Sequence, residues 1–329
     1  MVINPDGELH IYSLNVGQGD TTVVVTPNGN VAIIDAFRSN KLFNFLVDLG
    51  VEDEIEHLVI THPHSDHFSG ANRLLNDFRI AQAIFAPAWH EFGLGPATYR
   101  TLIDNIDAPP NSGNITFLSG YKRWYPDNLL ITPNGASNPI LDENAPYLEF
   151  LGPTNALINE LEASSNFNTN HLSIIARITW NNFRMIVSGD AQMENWDFFR
   201  REGLMRESCN ILRCAHHGSK NGTQWELIDR LDPSYVIVSS DPTRGHNLPD
   251  LASTGIFLSY DNNNSKTVVL TRDSGTIHVR SANGSNRPII EFYGDTFDQN
   301  VDLNNPTRLT HASELSDFED LLNSRIEEA

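Results

Sequence analysis

The segment Thr61-His62-Pro63-His64-Ser65-Asp66-His67 places three histidines and an aspartate within six residues of a chain that has 12 histidines in 329 residues. Neutral imidazoles and carboxylates are the ligands that borderline divalent cations prefer. In an extended loop alternate side chains point the same way, so His62 and His64 can share one ion. The chain then turns into a helix, and Asp66 with His67 faces a second position nearby. Three further segments carry similar chemistry. Ser188-Gly189-Asp190-Ala191 ends an apolar run on an aspartate placed to bridge two cations. Arg213-Cys214-Ala215-His216-His217-Gly218-Ser219-Lys220 ends the next run on a histidine pair, and Gly245-His246 follows the run Tyr235 to Ser239. Each lies just past the carboxyl end of a strand, where sites gather in layered α/β folds. Gly17-Gln18-Gly19-Asp20 is either a plain hairpin turn or a turn that aims Asp20 at a metal-loop histidine and fixes its tautomer. Asp35, which ends its own strand, has the same standing.

These residues need a frame. Leu9 to Val16, Thr21 to Thr26 and Val31 to Asp35 are β-branched runs, and Pro27-Asn28-Gly29-Asn30 between the last two reads as a tight hairpin turn. Lys41 to Leu49 has helical spacing closed by Gly50. Ile55 to Thr61 is a strand, Phe68 to Phe78 is helical, and Ile84 to Pro87 is a short strand. Residues 93–146 hold breakers such as Pro109-Pro110 and Pro133-Asn134-Gly135, and read as an insertion covering one end of the fold. Strands then run over Tyr147 to Leu151, Leu172 to Trp180 and Phe183 to Ser188, the last two joined at Asn181-Asn182. Helix (Ala191 to Glu202), strand (Asn210 to Cys214), helix (Thr223 to Leu231) and strand (Tyr235 to Ser239) follow. Pro249 to Leu258 is helical, and Lys266 to Thr271 with Thr276 to Arg280 reads as a hairpin around Asp273-Ser274-Gly275. Strands, then strand–helix units, then a hairpin predict an α/β chain of two sheets with helices outside. One domain is expected over 8–294. Residues 295–329 form an acidic C-terminal tail in which Ser316-x-x-Glu319 caps a short helix that either docks or binds a protein partner.

Composition sets the outer bounds. Lys and Arg number 22 against 42 Asp and Glu, a net charge of −20, so a long polyanion would be repelled. A single phosphate held at a metal is not excluded, because the ion supplies the positive charge. Cys209 and Cys214 are too few for a disulfide framework and read as buried apolar residues, with a ligand role for Cys214 as the alternative. Met1 to Glu8 shows neither a basic nor an apolar leader region, and the longest apolar runs are too short to cross a bilayer. The expectation is a cytoplasmic protein that does not enter the membrane.

From Ile11 to Val279 the chain resembles the metallo-β-lactamase fold superfamily, and more narrowly the hydrolase domain of the ComEC/Rec2 competence proteins and their stand-alone relatives. Leu14-Asn15-Val16-Gly17-Gln18-Gly19-Asp20 resembles the opening motif, and Ile33-Ile34-Asp35-Ala36 the second strand. Thr61 to Gly70 resembles the metal loop, Ser188 to Ala191 the aspartate turn, His216 to Lys220 the double-histidine motif and Gly245-His246 the late histidine. Thr267 to Val279 resembles the closing hairpin. The resemblance implies an αββα four-layer sandwich with a dinuclear site, carrying two divalent ions, Zn2+ or Mn2+, at the sheet edge. It implies that His62, His64 and His217 hold the first ion, that Asp66, His67 and His246 hold the second, and that Asp190 bridges. His171, in Asn170-His171-Leu172-Ser173, is the alternative to His217, with His216 lying beside the substrate. No channel or oligonucleotide-binding region accompanies the motifs, so DNA uptake is not implied.

Two cations sharing Asp190 would lower the pKa of a water and give hydroxide near neutral pH. Asp66 is then placed to orient that water or take its proton, His216 to protonate a leaving group, and Lys220 to hold a phosphate oxygen. The expected activity is metal-dependent phosphodiester hydrolysis on single-stranded or short nucleic acid or a small nucleotide. The alternatives are hydrolysis of a lactone, ester or β-lactam, and a binding protein that keeps the fold without the chemistry.

Overall fold

The computed structural model describes residues 5–86, 97–109, 113–118, 122–124, 145–163, 167–205, 207–241, 248–261 and 267–308. Strands β1 (Glu8–Ser13), β2 (Thr21–Val25), β3 (Val31–Ala36), β4 (Glu54–Ile60), β5 (Arg79–Phe85) and β6 (Asn114–Phe117) come first. Next are β7 (Lys122–Trp124), β8 (Tyr147–Gly152), β9 (Ile175–Trp180), β10 (Phe183–Val187), β11 (Ile211–Arg213), β12 (Tyr235–Val238) and β13 (Thr267–Leu270). The last are β14 (Ile277–Ala282), β15 (Ile289–Phe292) and β16 (Thr307–Arg308). They form a nine-stranded sheet, β16-β15-β14-β1-β2-β3-β4-β5-β6, and a seven-stranded sheet, β13-β12-β11-β10-β9-β8-β7.

Strand parity explains the layers. Leu9 and Ile11 of β1 face Met185 and Val187 of β10 in a core between the sheets. The alternate residues Tyr12, Val23 and Leu58 point the other way, onto the helices Ser39–Asp48, Ala71–Leu74 and Ala97–Asp107. On the second sheet Ile186, Val236 and Val238 pack under the helices Asn155–Ala163, Met193–Arg201, Trp225–Leu231 and Leu251–Asp261. The result is helix, sheet, sheet, helix, as expected from the order of elements.

The halves share one plan. The neighbours β1, β2 and β3 are antiparallel, and β4, β5 and β6 follow in parallel. The neighbours β8, β9 and β10 are likewise antiparallel, and β11, β12 and β13 follow in parallel. No repeat is visible in the residues themselves, so the duplication is one of shape.

Some elements differ from the sequence reading. The expected hairpin of residues 266–280 does not form: β13 pairs with β12, whereas β14 pairs with β1 in the other sheet. A one-turn helix, Thr271–Ser274, carries the chain across, and the turn residues that suggested a hairpin serve that crossing. The expected helix from Phe68 to Phe78 is instead two single turns, Ser65–Phe68 and Ala71–Leu74, because the amide of Gly70 donates to the carbonyl of Ala36. β5 begins earlier than expected, at Arg79, its polar residues hiding the strand pattern. Of residues 93–146, the described parts supply the helix Ala97–Asp107 and one edge strand to each sheet, β6 and β7. Residues 295–308 pack on the body: Asp295 is buried, accepts from the amide of Thr276 and pairs with buried Lys41 of the helix Ser39–Asp48. The expected helix at Ser316 to Glu319 lies outside the described residues.

Candidate metal centre

Both sheets end their parallel strands at the same edge, and the chemistry-bearing loops leave from there. The loop Thr61 to His67 follows β4, Ser188 to Asp190 follows β10, and Cys214 to Gly218 follows β11. The turn of residues 14–20, between β1 and β2, closes the group and is tied to it by the amide of Asp20 donating to the carbonyl of Asp66 (3.0 Å).

Asp190 sits at the centre, buried. Its Oδ2 lies 3.4 Å from His62 Nε2 and 3.9 Å from His216 Nε2, and its Oδ1 lies 3.2 Å from His67 Nε2 and 3.6 Å from His217 Nε2. Burial alone would raise the pKa of this carboxyl, but His67, His217 and His62 around it hold it well below the usual range, so it is ionised. Two sets of donor atoms flank it. His62, His64 and Asp190 form one, with His62 Nε2 3.0 Å from His64 Nδ1. Asp66, His67 and His217 form the other, with His217 Nε2 3.8 Å from Asp66 Oδ2.

The donor set fits divalent ions on an independent observation. His67 Nε2, His217 Nε2 and Asp190 Oδ1 are all buried, make no well-formed hydrogen bond and face one another at 3.2 and 3.6 Å. Lone pairs and N–H groups shut away from water are costly unless something else binds them, and these converge on a common space. Burial, and then neighbouring His62, push the His64 ring down to about 4, which leaves it neutral, the form that ligates.

The surrounding contacts orient these rings. Asp35 Oδ2 takes His67 Nδ1 at 2.7 Å, while its two oxygens also accept from the amide and hydroxyl of Thr61 at 2.8 Å each. His67 is therefore fixed with Nε2 forward by Asp35, near the end of β3. Burial opposes charge on that ring, yet Asp190 and Asp35 outweigh it and raise its pKa well above the ordinary value, so a cation bound at Nε2 would have to displace a proton.

Other placements differ from expectation. Asp20 lies nearest to His217, its Oδ1 3.5 Å from His217 Nδ1 and 2.9 Å from Arg213 Nη2, and its carboxylate is also within 4.8 Å of His67 of the Thr61 to His67 loop. His217 itself was expected beside His62 and His64, but it joins Asp66 and His67. The reason is backbone: His216 and His217 both have positive φ (52° and 53°), so the chain coils left-handed and their rings diverge. His216 turns to Asn170, whose Nδ2 is 3.4 Å from His216 Nε2. His171 does not reach the donor sets. It is buried, its Nδ1 accepts from the amide of Asn168 at 3.1 Å, and its Nε2 faces Glu194 at 3.3 Å. His246 lies outside the described residues. Burial pushes the Cys214 thiol up to about 12, and Cys214, beside Thr223, belongs to none of the donor groups among the described residues.

Arg213 was passed over in the sequence. It is fully buried between the sheets and bonds both Asp20 and Thr22 (3.1 Å). Parity was the available signal, because Arg213 falls on the same side of β11 as core residue Ile211. The cluster opens on a cavity of about 550 Å3 whose wall includes Gln18, His64, Asp66, His216, Lys220 and Asp250.

Residues 14–140 match the family model described as the metallo-beta-lactamase superfamily. The matched segment runs from the end of β1 through the HxHxDH loop, so it contains the first donor residues of the centre. No curated protein matches the chain. Among solved structures, a variant of the CmlA beta-hydroxylase is similar with a TM-score of 0.54 and 11% identity, over 84% of this chain and 54% of that one. CmlA from Streptomyces venezuelae, described as a diiron beta-hydroxylase, has a TM-score of 0.52 and 10% identity over 81% and 53%. This chain thus spans just over half the length of either hydroxylase chain, and the likeness is one of fold. Igni18, a metallo hydrolase from Ignicoccus hospitalis, has a TM-score of 0.49 and 13% identity over 82% and 98%. Among the described residues no helix is long and apolar enough to cross a membrane.

Proposed function

We propose that the chain is a dinuclear metal-dependent hydrolase acting on a phosphodiester. The observation that carries the reading is the Asp190 carboxylate, with one oxygen toward His62 and His216 and the other toward His67 and His217. A bridging carboxylate between two donor sets is what a pair of cations requires. In this reading His62, His64 and Asp190 would hold a first ion, and Asp66, His67 and His217 would hold a second beside the same carboxylate. When bound, such ions supply Lewis acidity, which activates water and neutralises charge on the substrate.

The chain's own groups do the rest. Asp66, partly exposed in the cavity wall, orients the attacking water and accepts its proton. His216 is also partly exposed in the cavity wall, and burial lowers its pKa although Asp190 pulls the other way; the ring is neutral near pH 7, and it steadies the leaving oxygen by a hydrogen bond from its N–H. Exposed Lys220 holds a phosphoryl oxygen from across the cavity. Lys220 favours a phosphate over an uncharged ester. The net charge of −20 favours a short or single-stranded substrate or a small nucleotide. The motif resemblance to the ComEC/Rec2 hydrolase domain points the same way.

Metal analysis of purified protein should find about two ions per chain. Protein loaded with Mn2+ or Zn2+ should release p-nitrophenol from bis-p-nitrophenyl phosphate and nucleotides from an oligonucleotide, and should leave nitrocefin and a simple lactone largely intact. Turnover of the lactone or nitrocefin alone would reassign the substrate. No turnover of any of them with either metal would remove the enzyme.

A further inference from the structure

We infer that Arg213 is a positioning residue for the second ion site: it holds Asp20 against His217, and so keeps the His217 ring aimed at Asp66 and Asp190 without touching an ion itself. This rests on the dinuclear reading above. Arg213 stands where an aliphatic side chain belongs, 1% exposed on the side of β11 that Ile211 turns to the core between the sheets. A buried ion pair gains little over well-packed apolar groups, so stability alone does not explain a guanidinium there. Departures of this kind gather where a site has to be built. The fork crosses from one sheet to the other, Nη2 donating to Asp20 Oδ1 at 2.9 Å and Nη1 to Thr22 Oγ1 at 3.1 Å.

From Asp20 the chain of contacts runs on to the donor set. Asp20 Oδ1 lies 3.5 Å from His217 Nδ1, and across the ring His217 Nε2 lies 3.8 Å from Asp66 Oδ2 and 3.6 Å from Asp190 Oδ1. A ligating imidazole needs a partner for its far nitrogen, which fixes the tautomer and the direction of the ring. Asp20 is the carboxylate at that nitrogen. The backbone gives His217 little guidance of its own, because the residue sits at a φ of 53° in the left-handed coil after β11. Asp20 in turn needs restraint. An oxygen of Asp20 and one of Asp35 lie within 4.8 Å of each other beside His67. Buried like charges that close repel, and the guanidinium both balances Asp20 and sets its orientation. The residue type follows from this. A lysine supplies charge at one point, whereas the planar fork reaches Asp20 and Thr22 together. The same link joins the halves of the site, since Asp66 and His67 hang from the first sheet and His217 from the second.

The test uses the full chain as wild type, Arg213→Met, Arg213→Lys, Asp20→Asn and, as a control for lost core packing, Ile211→Ala. Uptake of Zn2+ is followed by calorimetry, the ligand environment by the visible spectrum of Co2+-loaded protein, and folding by the Tm of the metal-free chain. Arg213→Met should bind one ion within about twofold of wild type and the other about 10- to 100-fold more weakly, the usual cost of losing a group that orients a ligand. Asp20→Asn should reproduce that loss and the matching change in the Co2+ spectrum, and Arg213→Lys should recover part of it. Ile211→Ala should lower Tm yet keep wild-type affinity for both ions. If Ile211→Ala loses the weaker ion as Arg213→Met does, or if Arg213→Met and Asp20→Asn keep both affinities, the inference is overturned. Should Arg213→Met not fold, Arg213→Lys and Asp20→Asn decide by the same measure. A wild type that binds both ions yet hydrolyses nothing overturns the hydrolase reading and leaves Arg213 its role; a wild type that never takes up a second ion removes both.

Discussion

Asp190 is where the two donor sets meet, so it is the residue whose loss should cost most. Asp190→Ala is expected to lower metal content measured by mass spectrometry and to abolish hydrolysis; unchanged metal content and turnover would sink the dinuclear reading. A second prediction concerns acid. Burial pushes His57 down to about 3, and burial together with His10 and Arg280 pushes His278 down to about 2. Both rings are neutral in the fold but take up a proton on unfolding once the pH is below their ordinary value of about 6.5. Stability is therefore whole above pH 6.5 and declines below it, by up to about 1.4 kcal/mol per pH unit for each ring. Urea midpoints should drop between pH 7 and pH 5, with a shallower drop in His57→Gln. The donor types gathered at this edge were legible in the sequence because imidazoles and carboxylates cluster beside strand ends. Which of His216 and His217 faces which donor set was not legible, because nothing in the residue types announces two successive left-handed residues.

Among the elements, the loop after β10 is the most constrained. Gly189 has a φ of +49°, and a Cβ there would lie 2.7 Å from Thr61 Oγ1, the hydroxyl that Asp35 holds. Gly189→Ala should force the Asp190 turn away from the metal loop, weakening metal binding in a calorimetric titration while circular dichroism stays native. Wild-type affinity would mean the turn has slack. The sheets follow the same logic of legibility. The two-residue link at Asn181-Asn182 was readable as a hairpin because local turn chemistry decides it, and β9 does pair with β10 across it. The link at residues 271–276 has similar turn residues but joins different sheets. That choice is made by distant partners: β14 meets β1, with Glu8 opposite Ala282.

For the molecule as a whole, the segment after β15 is part of the body. Asp295 accepts from Thr276, its carbonyl accepts from Asn15, and its carboxylate pairs with Lys41. Removing one partner of a buried pair strands the other charge, so Lys41→Met should cost about 3–5 kcal/mol in urea unfolding, and Lys41→Met with Asp295→Asn should cost less than the single change. An equal or larger loss in the double variant would show that the pair is not the reason. The return of β14 to β1 has a further consequence for how the chain is made. During synthesis β1 emerges with its outer rim bare, and the chain as far as Ala282 must leave the ribosome before its partner β14 arrives. A nascent chain arrested near residue 270 should therefore be cut readily by protease, and the cell must shield that rim for the length of one translation cycle.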